Sequence, residues 1–145
     1  LPGPTGERNT LRFAPRGTLL GLADDENELL RQLAAVFASG NAAAAVDCPH
    51  SRSLLQRLPS DLAAAIGLRQ PADYAGIAGL LFAGEQAAAA SLRQRLAAEP
   101  GPLLPVFQAD RKSFLYPLYR MLAERVVSVN TTAAGGNTTL MTLGA

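Results

Sequence analysis

The chain has very few of the residues from which covalent cross-links and metal sites are built. Its 145 residues include one cysteine, Cys48, one histidine, His50, and no tryptophan. A single cysteine excludes a disulfide within the chain, and a single histidine without a cysteine cluster argues against a metal site. The formal net charge is only +1, so no strong field would draw the protein to nucleic acid or to anionic lipid.

Long apolar runs and an export signal are missing as well. No stretch reaches the roughly 18 apolar residues that a membrane helix needs. The chain opens with Leu-Pro-Gly-Pro, from which we expect no signal peptide. We therefore expect a cytoplasmic domain from a longer or processed polypeptide, without direct membrane contact. What is abundant is apolar: 48% of residues are hydrophobic and 17% are charged, which indicates a globular domain with a real core.

Hydrophobic periodicity predicts short apolar strands that alternate with helices. The clearest helix covers about residues 25–39, because Asp25 and Glu28 have the spacing of a capping box and Gly40 suits the position just past the C-terminus. Further helices are predicted over 51–58, 60–66, 85–98 and 114–122. Strands are predicted over 9–14, 18–23, 42–46, 77–83, 103–107 and 125–129.

Strands with few polar positions are typical of a parallel sheet that is covered on both faces. The sequence therefore predicts an α/β fold with a Rossmann-like parallel sheet of four or five strands and helices on both faces. A short β-flap and an extended C-terminal tail complete it. We divide the chain into a linker and flap strand over 1–16, the α/β domain over 17–125, and a final strand with the tail over 126–145.

The tail, residues 130–145, is uncharged and lacks proline and aromatic residues, yet it carries five threonines. Its hydroxyl and amide groups can satisfy nearby backbone groups, while Leu140, Met141 and Leu143 can act as apolar anchors. The composition fits a segment that docks against another surface, and it fits a flexible tail equally well.

Cys48 and His50 are the obvious candidates for nucleophilic catalysis. They are two residues apart, whereas catalytic partners usually converge from separate elements. The prediction is a half-buried thiol in a βα loop, and an enzyme that uses this pair is the alternative. The carboxylates Asp24, Asp25 and Glu26 are explained by a helix N-terminus, whose dipole favours negative charge.

Two stretches of the chain resemble the C-terminal end of the proline utilization A family. They are LPGPTGERNT at the start, and SVNT with AGGN near the end. The family comprises bacterial bifunctional flavoenzymes that oxidise proline to glutamate. Its longer members carry an extra domain that is built like a degraded aldehyde dehydrogenase dinucleotide-binding domain, followed by a short C-terminal motif. The whole chain is similar to that extra domain with its motif.

A second similarity concerns the dinucleotide site of aldehyde dehydrogenases. Their Ala-Gly-Asn, strand, Lys-Pro pattern matches residues 39–46 here, with Val46 at the position of the ribose-binding lysine. Their Phe-Thr-Gly-Ser turn matches residues 82–85, with Gly84 followed by Glu85 where a small residue would admit pyrophosphate. The resemblance implies that the domain keeps the dinucleotide fold without binding NAD. No catalytic and no metal-binding residue of the family is carried over.

The resemblance implies a structural role. In the family, the flap packs on the dehydrogenase module of the same polypeptide, and the final motif covers the cavity that joins the two active sites. The implied interface and lid residues are Asn9, Leu11, Phe13, Val127, Val129, Asn130, Thr131, Gly135, Gly136, Asn137, Leu140 and Met141. The parent enzyme would bind FAD and NAD, this segment neither.

The expected partners are the dehydrogenase and flavin modules, and the exposed flap would favour self-association. The parent enzyme is expected in the cytoplasm, with peripheral association to the inner membrane left open. An independent small α/β protein that binds a nucleotide or another ligand is the alternative reading of the chain.

Overall fold

The structure, a computed structural model, describes residues 7–110 and 113–130 in two compact units. The first unit combines the two ends of the chain, and its described part is a two-stranded antiparallel sheet of β1 (Glu7–Pro15) and β7 (Leu122–Asn130). The second unit, Pro15–Leu122, is the α/β domain.

The α/β domain is built mainly from strands that are each followed by a helix. Its strands are β2 (Thr18–Leu22), β3 (Ala42–Val46), β4 (Ile66–Arg69), β5 (Ile77–Phe82) and β6 (Val106–Gln108). Its helices are α1 (Glu26–Ala38), α2 (Pro49–Arg57), α3 (Ser60–Ala64) and α4 (Gln86–Ala98), and a 3₁₀ turn covers Leu118–Met121.

The five strands are parallel and lie in the order β4-β3-β2-β5-β6. The chain starts in the middle of the sheet, adds β3 and β4 on one side, and then crosses back to add β5 and β6 on the other. This is the order of the first five strands of a dinucleotide-binding fold, and it places the topological switch point between β2 and β5. The prediction of a Rossmann-like sheet is confirmed.

Each face of the sheet carries its own core. Leu19 of β2 packs with Leu33 of α1 and Leu54 of α2 on one face, whereas Leu20 packs with Leu92 of α4 on the other. Neighbouring residues of a strand point to opposite faces, so a continuous apolar strand such as β2 is buried on both sides. The predicted helices on both faces are confirmed.

The ends of α1 follow from its capping residues. Asp25 is the N-cap, and its Oδ1 accepts a hydrogen bond from the Glu28 backbone N–H at 2.8 Å. Gly40 follows the C-cap Ser39 with a φ of +71°, a left-handed conformation that strongly favours glycine. Both features agree with the predicted helix over about 25–39.

Asn41 ties together the two places where the chain enters and leaves the α/β domain. Its Oδ1 accepts hydrogen bonds from the backbone N–H groups of Arg16 and Gly17 at 2.7 and 3.1 Å. Its Nδ2 donates to the Met121 carbonyl at 3.0 Å. The side chain is 4% exposed, so a buried amide with partners on both its oxygen and its nitrogen fixes this point of the fold.

Two predicted elements are wrong. Ile66 was assigned to the end of a helix and Gly67 to the glycine that stops it, but residues 66–69 form the edge strand β4 beside β3. The helix predicted over 114–122 is limited to the 3₁₀ turn, because Phe114 has a φ of +56° and Pro117 cannot donate an interior helical hydrogen bond. The other predicted elements exist, with ends that differ by a few residues. Within the described part of the chain, no helix is long and apolar enough to cross a membrane.

Candidate functional site

The candidate site is the crevice between the carboxyl ends of β2 and β5. In open α/β sheets, ligands bind outside the carboxyl edge where the strand order reverses. Here β2 ends at Leu22 and leads into α1, and β5 ends at Phe82 and leads into α4. The N-termini of these two helices are the places where such folds hold phosphate groups.

The N-terminus of α1 is already occupied by acidic side chains of the protein. The Asp25 carboxylate accepts a hydrogen bond from the backbone N–H of Glu28, and Glu26 and Glu28 lie in the first turn. Glu26 also forms an ion pair with Arg57 at the end of α2. Carboxylates of the chain itself therefore satisfy the positive end of this helix dipole, and an added phosphate would meet like charge.

A buried polar cluster covers the end of β2. The Tyr116 hydroxyl donates to Glu28 Oε1 at 2.6 Å, and Gln32 Nε2 donates to the same oxygen at 3.2 Å and to the Leu22 carbonyl at 3.1 Å. Arg31 Nε donates to the second carboxylate oxygen, Oε2, at 3.1 Å. The Glu28 carboxylate, only 7% exposed as a residue, is thus compensated by three donors.

The environment of this cluster changes the ionisation of the tyrosine. Burial raises the pKa of Tyr116 well above its usual value, and the hydrogen bond to Glu28 raises it further. Gly21 makes room for the neighbouring amide, since a Cβ at that position would lie 2.6 Å from Gln32 Oε1. The cluster is tightly packed and fills the part of the crevice at the end of β2.

The N-terminus of α4 is closed in a different way. The Phe82 ring lies over Gly84, where an added Cβ would be 2.3 Å from the Cζ atom of the ring. Gln108 Nε2 donates to the Gly84 carbonyl at 2.9 Å, which fixes the turn from the side of β6. Glu85 is the N-cap residue of α4, and its side chain makes no capping hydrogen bond to the helix. The turn that would admit a pyrophosphate thus has an aromatic ring against its glycine and an acidic residue as its N-cap.

The position matched to the ribose-binding lysine is also unsuited to a nucleotide. Val46 is the last residue of β3 and offers no polar group in its side chain. The next residue, Asp47, receives two hydrogen bonds from the Arg52 guanidinium, one of them 2.8 Å from Nη2 to Oδ2. These hydrogen bonds hold the pKa of the Asp47 carboxyl below its usual range. This arginine is therefore engaged by a carboxylate of the protein.

A small cavity of about 240 Å³ remains at this edge, and it is lined by Ala83, Glu85, Ala109, Asp110 and Phe114. Two of its five lining residues are acidic. A cavity of this size is below the range of typical ligand pockets, and its carboxylates would repel the phosphates of a coenzyme. The residues of the crevice therefore do not fit NAD.

Cys48 and His50 do lie close together. Sγ of Cys48 is 3.3 Å from Nδ1 and 3.2 Å from Nε2 of His50, and both residues are half-buried. Cys48 is the N-cap of α2, where its backbone N–H donates to Ser51 Oγ at 3.0 Å. The thiol thus sits in the predicted βα loop and forms part of a helix cap. Among the described residues, no group of three or more histidine, cysteine or acidic side chains could hold a metal ion.

The remaining predicted residues fall on the two-stranded sheet or outside the described chain. Asn9, Leu11 and Phe13 lie on β1, and Val127, Val129 and Asn130 lie on β7. The lid positions Thr131, Gly135, Gly136, Asn137, Leu140 and Met141 lie outside the described residues.

Sequence reasoning missed the residues that close the crevice. Phe82 was assigned to an apolar strand and to the turn over 82–85, but not to a role in closing the crevice, and Gln32 and Tyr116 were not singled out. The tyrosine is 84 residues from its glutamine partner. The one available signal was Gln32 itself, a polar residue on the apolar face of a helix, which indicates a buried partner.

Comparison with known proteins reveals homologous segments in large proteins. The chain is 41% identical over 151 residues to bifunctional protein PutA of Salmonella typhimurium and 40% identical over 146 residues to that of Escherichia coli. It is 37% identical over 154 residues to PutA of Rhizobium meliloti. Each match covers 99% of this chain but only 11 or 12% of the relative. No protein-family profile matches the chain.

Solved structures point to the same proteins. A crystal structure of a Bradyrhizobium japonicum proline utilization A (PutA) mutant superimposes with a TM-score of 0.56 and 26% identity, over 75% of this chain and 13% of that one. A further crystal structure, of bifunctional proline utilization A, gives the same values. The chain is therefore homologous, over almost its whole length, to a small segment of PutA.

Proposed function

We propose that this chain, as the homologue of a PutA segment, is a noncatalytic structural domain of a bifunctional proline-oxidising enzyme. In this role it packs on the dehydrogenase module of the same polypeptide and covers the cavity through which the intermediate passes between two active sites. The observation that carries the proposal is the occupied crevice. In this nucleotide-type fold the N-terminus of α1 is capped by the Asp25 carboxylate, and the N-terminus of α4 has the acidic residue Glu85 as its N-cap and the Phe82 ring against Gly84. We infer that such a fold has lost its usual ligand.

Charge supports the absence of coenzyme binding. A phosphate at the head of α4 would stand beside the N-cap residue Glu85. Two unit charges about 4 Å apart repel each other by about 4 kcal/mol at an effective dielectric constant near 20. The FAD and NAD of the parent enzyme would accordingly be bound by its other modules.

The two-stranded sheet supports the packing role. None of its described residues is buried, and Phe13, Val126, Val127 and Val129 are each about half exposed or more. An isolated pair of strands is marginally stable in water, and an exposed apolar surface of this kind marks an interaction site. We assign this surface, with Asn9 and Leu11, to the contact with the dehydrogenase module.

The lid role rests on the composition of residues 131–143. An uncharged segment rich in threonine and asparagine can hydrogen-bond along a groove without burying a charge. It would keep the intermediate, pyrroline-5-carboxylate or its open semialdehyde, from escaping to solvent. The parent enzyme would work in the cytoplasm.

Removal of residues 131–145 from the full-length enzyme tests the lid. The expected result is a lag in NADH formation from proline and a slower coupled flux, because the intermediate must first accumulate in solution. The control is the rate of each half-reaction with its own substrate added from solution. Unchanged coupled kinetics in the truncated enzyme would refute the lid.

Calorimetry with NAD and the 145-residue chain tests the loss of coenzyme binding. The expected result is no measurable binding. A micromolar dissociation constant would refute the noncatalytic reading of the fold and favour the alternative, an independent ligand-binding protein.

Thiol labelling of Cys48 tests the other alternative, an enzyme that uses Cys48 and His50. The structural reading predicts a rate no faster than that of a free peptide thiol.

A further inference from the structure

The two long helices of the α/β domain present different outer faces. Both have 13 residues, and both bury one side against the sheet. The outer face of α4 includes Arg93, Gln94 and Arg95, and no residue from 86 to 98 is an exposed large apolar side chain. This is the polar outer face expected of a helix that meets solvent.

The outer face of α1 is apolar instead. Leu30 and Phe37 are 48% and 38% exposed, and Ala34 and Ala38 lie between and beside them at helical spacing. Arg31 is the only charged side chain in the stretch from 29 to 38. A helix that is apolar on its outer as well as its inner side is typical of a helix buried on both.

The segment after β6 extends the same surface. A cavity of about 360 Å³ lies between α1 and this segment. Its apolar lining residues are Ala34, Ala35, Ala38, Phe114, Leu115 and Leu118, and Arg31, Ser113 and Tyr116 complete the lining. Phe114 and Leu115 are 57% and 69% exposed at its edge. The result is an apolar groove with a floor of alanines and a wall of larger side chains.

The wall of the groove is held in an unfavourable backbone conformation. Phe114 has a φ of +56°, a region that bulky residues rarely adopt. Asp110 imposes it: its carboxylate accepts from the Ser113 N–H at 2.8 Å, and its carbonyl accepts from the Phe114 N–H at 2.8 Å. The Arg31 guanidinium lies 5.7 Å from the centre of the Phe114 ring. Such strain persists only where the surroundings over-determine it, and it is concentrated at functional sites.

We propose that the α1 groove, defined by Ala34, Ala38, Phe114, Leu115 and Leu118, is a second docking surface that another module of the same polypeptide covers. This inference rests on the proposed function. The relatives place a homologous segment in chains about nine times as long, so most of the polypeptide is available to cover it. The occupant is an apolar surface, since six of the nine lining residues are alanine, leucine or phenylalanine. The three polar side chains of the lining are already hydrogen-bonded within the protein, Arg31 and Tyr116 to Glu28 and Ser113 to Asp110. The polar outer face of α4 remains in solvent.

Cysteine labelling in the full-length enzyme tests the surface. Ala34→Cys and Ala90→Cys place a small thiol on the exposed side of α1 and of α4, respectively, in the middle of each helix. Labelling by a maleimide is followed at each position by peptide mass spectrometry. The expected rate at position 34 is about tenfold or more below that at position 90, because labelling of a covered site needs a local opening. Equal rates in the native enzyme would overturn the proposal.

Further arms of the experiment separate the other outcomes. Both positions should label at the same rate in denaturant, which excludes an intrinsic difference. Protection at position 34 that disappears when the enzyme is diluted would identify a second copy as the occupant and overturn the assignment to the same polypeptide. Ala38→Cys repeats the measurement on the same groove if the first variant fails to fold. A lag after removal of the tail together with equal labelling rates would refute only the groove.

Discussion

Replacement of Tyr116 by phenylalanine tests the buried cluster at the end of β2. The change removes one hydroxyl, which donates to Glu28 at 2.6 Å. Hydrogen bonds to a charged group contribute about 1.5–3 kcal/mol, and the carboxylate that remains is almost fully buried. We therefore expect Tyr116→Phe to lower the free energy of unfolding of the 145-residue chain by about 1.5–3 kcal/mol. Urea-induced unfolding followed by circular dichroism measures this difference.

Tyr119→Phe is the matched control, because that ring is 73% exposed and lies three residues away. Its expected effect is within about 0.5 kcal/mol, as for most surface substitutions. Equal effects of the two substitutions would show that the Tyr116 hydroxyl does not hold the segment after β6 against α1.

The pH dependence gives the same prediction an independent check. Because the pKa of Tyr116 is raised in the folded protein, the folded state keeps a proton that the unfolded chain releases above about pH 10. Stability conferred by the neutral hydroxyl is therefore complete below that pH and declines above it, by about 1.4 kcal/mol per pH unit. The Tyr116→Phe variant should lack this component, so its stability should fall less steeply between pH 10 and 11. Parallel curves for the two proteins would contradict the assignment.

Three further substitutions test other parts of the fold. Gly79→Ala should destabilise the domain by about 1–3 kcal/mol in urea, because its Cβ would lie 2.7 Å from the buried Phe107 ring. Asn41→Ala should lower the free energy of unfolding by at least about 1–3 kcal/mol, since it leaves buried backbone groups without partners. An unchanged urea midpoint would show that the Asn41 side chain does not hold these parts of the chain together. Arg52→Ala should raise the pKa of Asp47 in an NMR titration, because the guanidinium favours the ionised carboxylate. The ion pair's contribution is present above the usual carboxyl pKa and is lost as the pH falls through the lowered one.

Local signals accounted for most of the fold. Asp25 and Gly40 mark both ends of α1, and the apolar run before Asp47 could be assigned to a buried strand although alanine prefers helices. The strand β4 was missed because Gly67 resembles a helix stop, and only its pairing with β3 shows what the residue does. The helix predicted after Phe114 failed because that residue's conformation depends on hydrogen bonds to Asp110.

The candidate site was predictable only in part. Gly84 and Glu85 could be placed at the head of a helix from the sequence pattern, and the structure has them there. The ring of Phe82 over that turn and the contact between Gln32 and Tyr116 depend on tertiary packing, and no local pattern specifies them. Residues that close a site from distant parts of the chain can therefore be identified only from the three-dimensional structure.

The hydrogen bonds of the Asn41 side chain have a consequence for how such a domain can be inserted into another protein. One buried amide bonds the chain at Arg16, just after β1, and at Met121, just before β7, so the two ends of the α/β domain lie next to each other. A folding unit with adjoining ends can be spliced into a host chain without stretching either junction. The α/β domain therefore has the adjoining ends that insertion into another polypeptide requires.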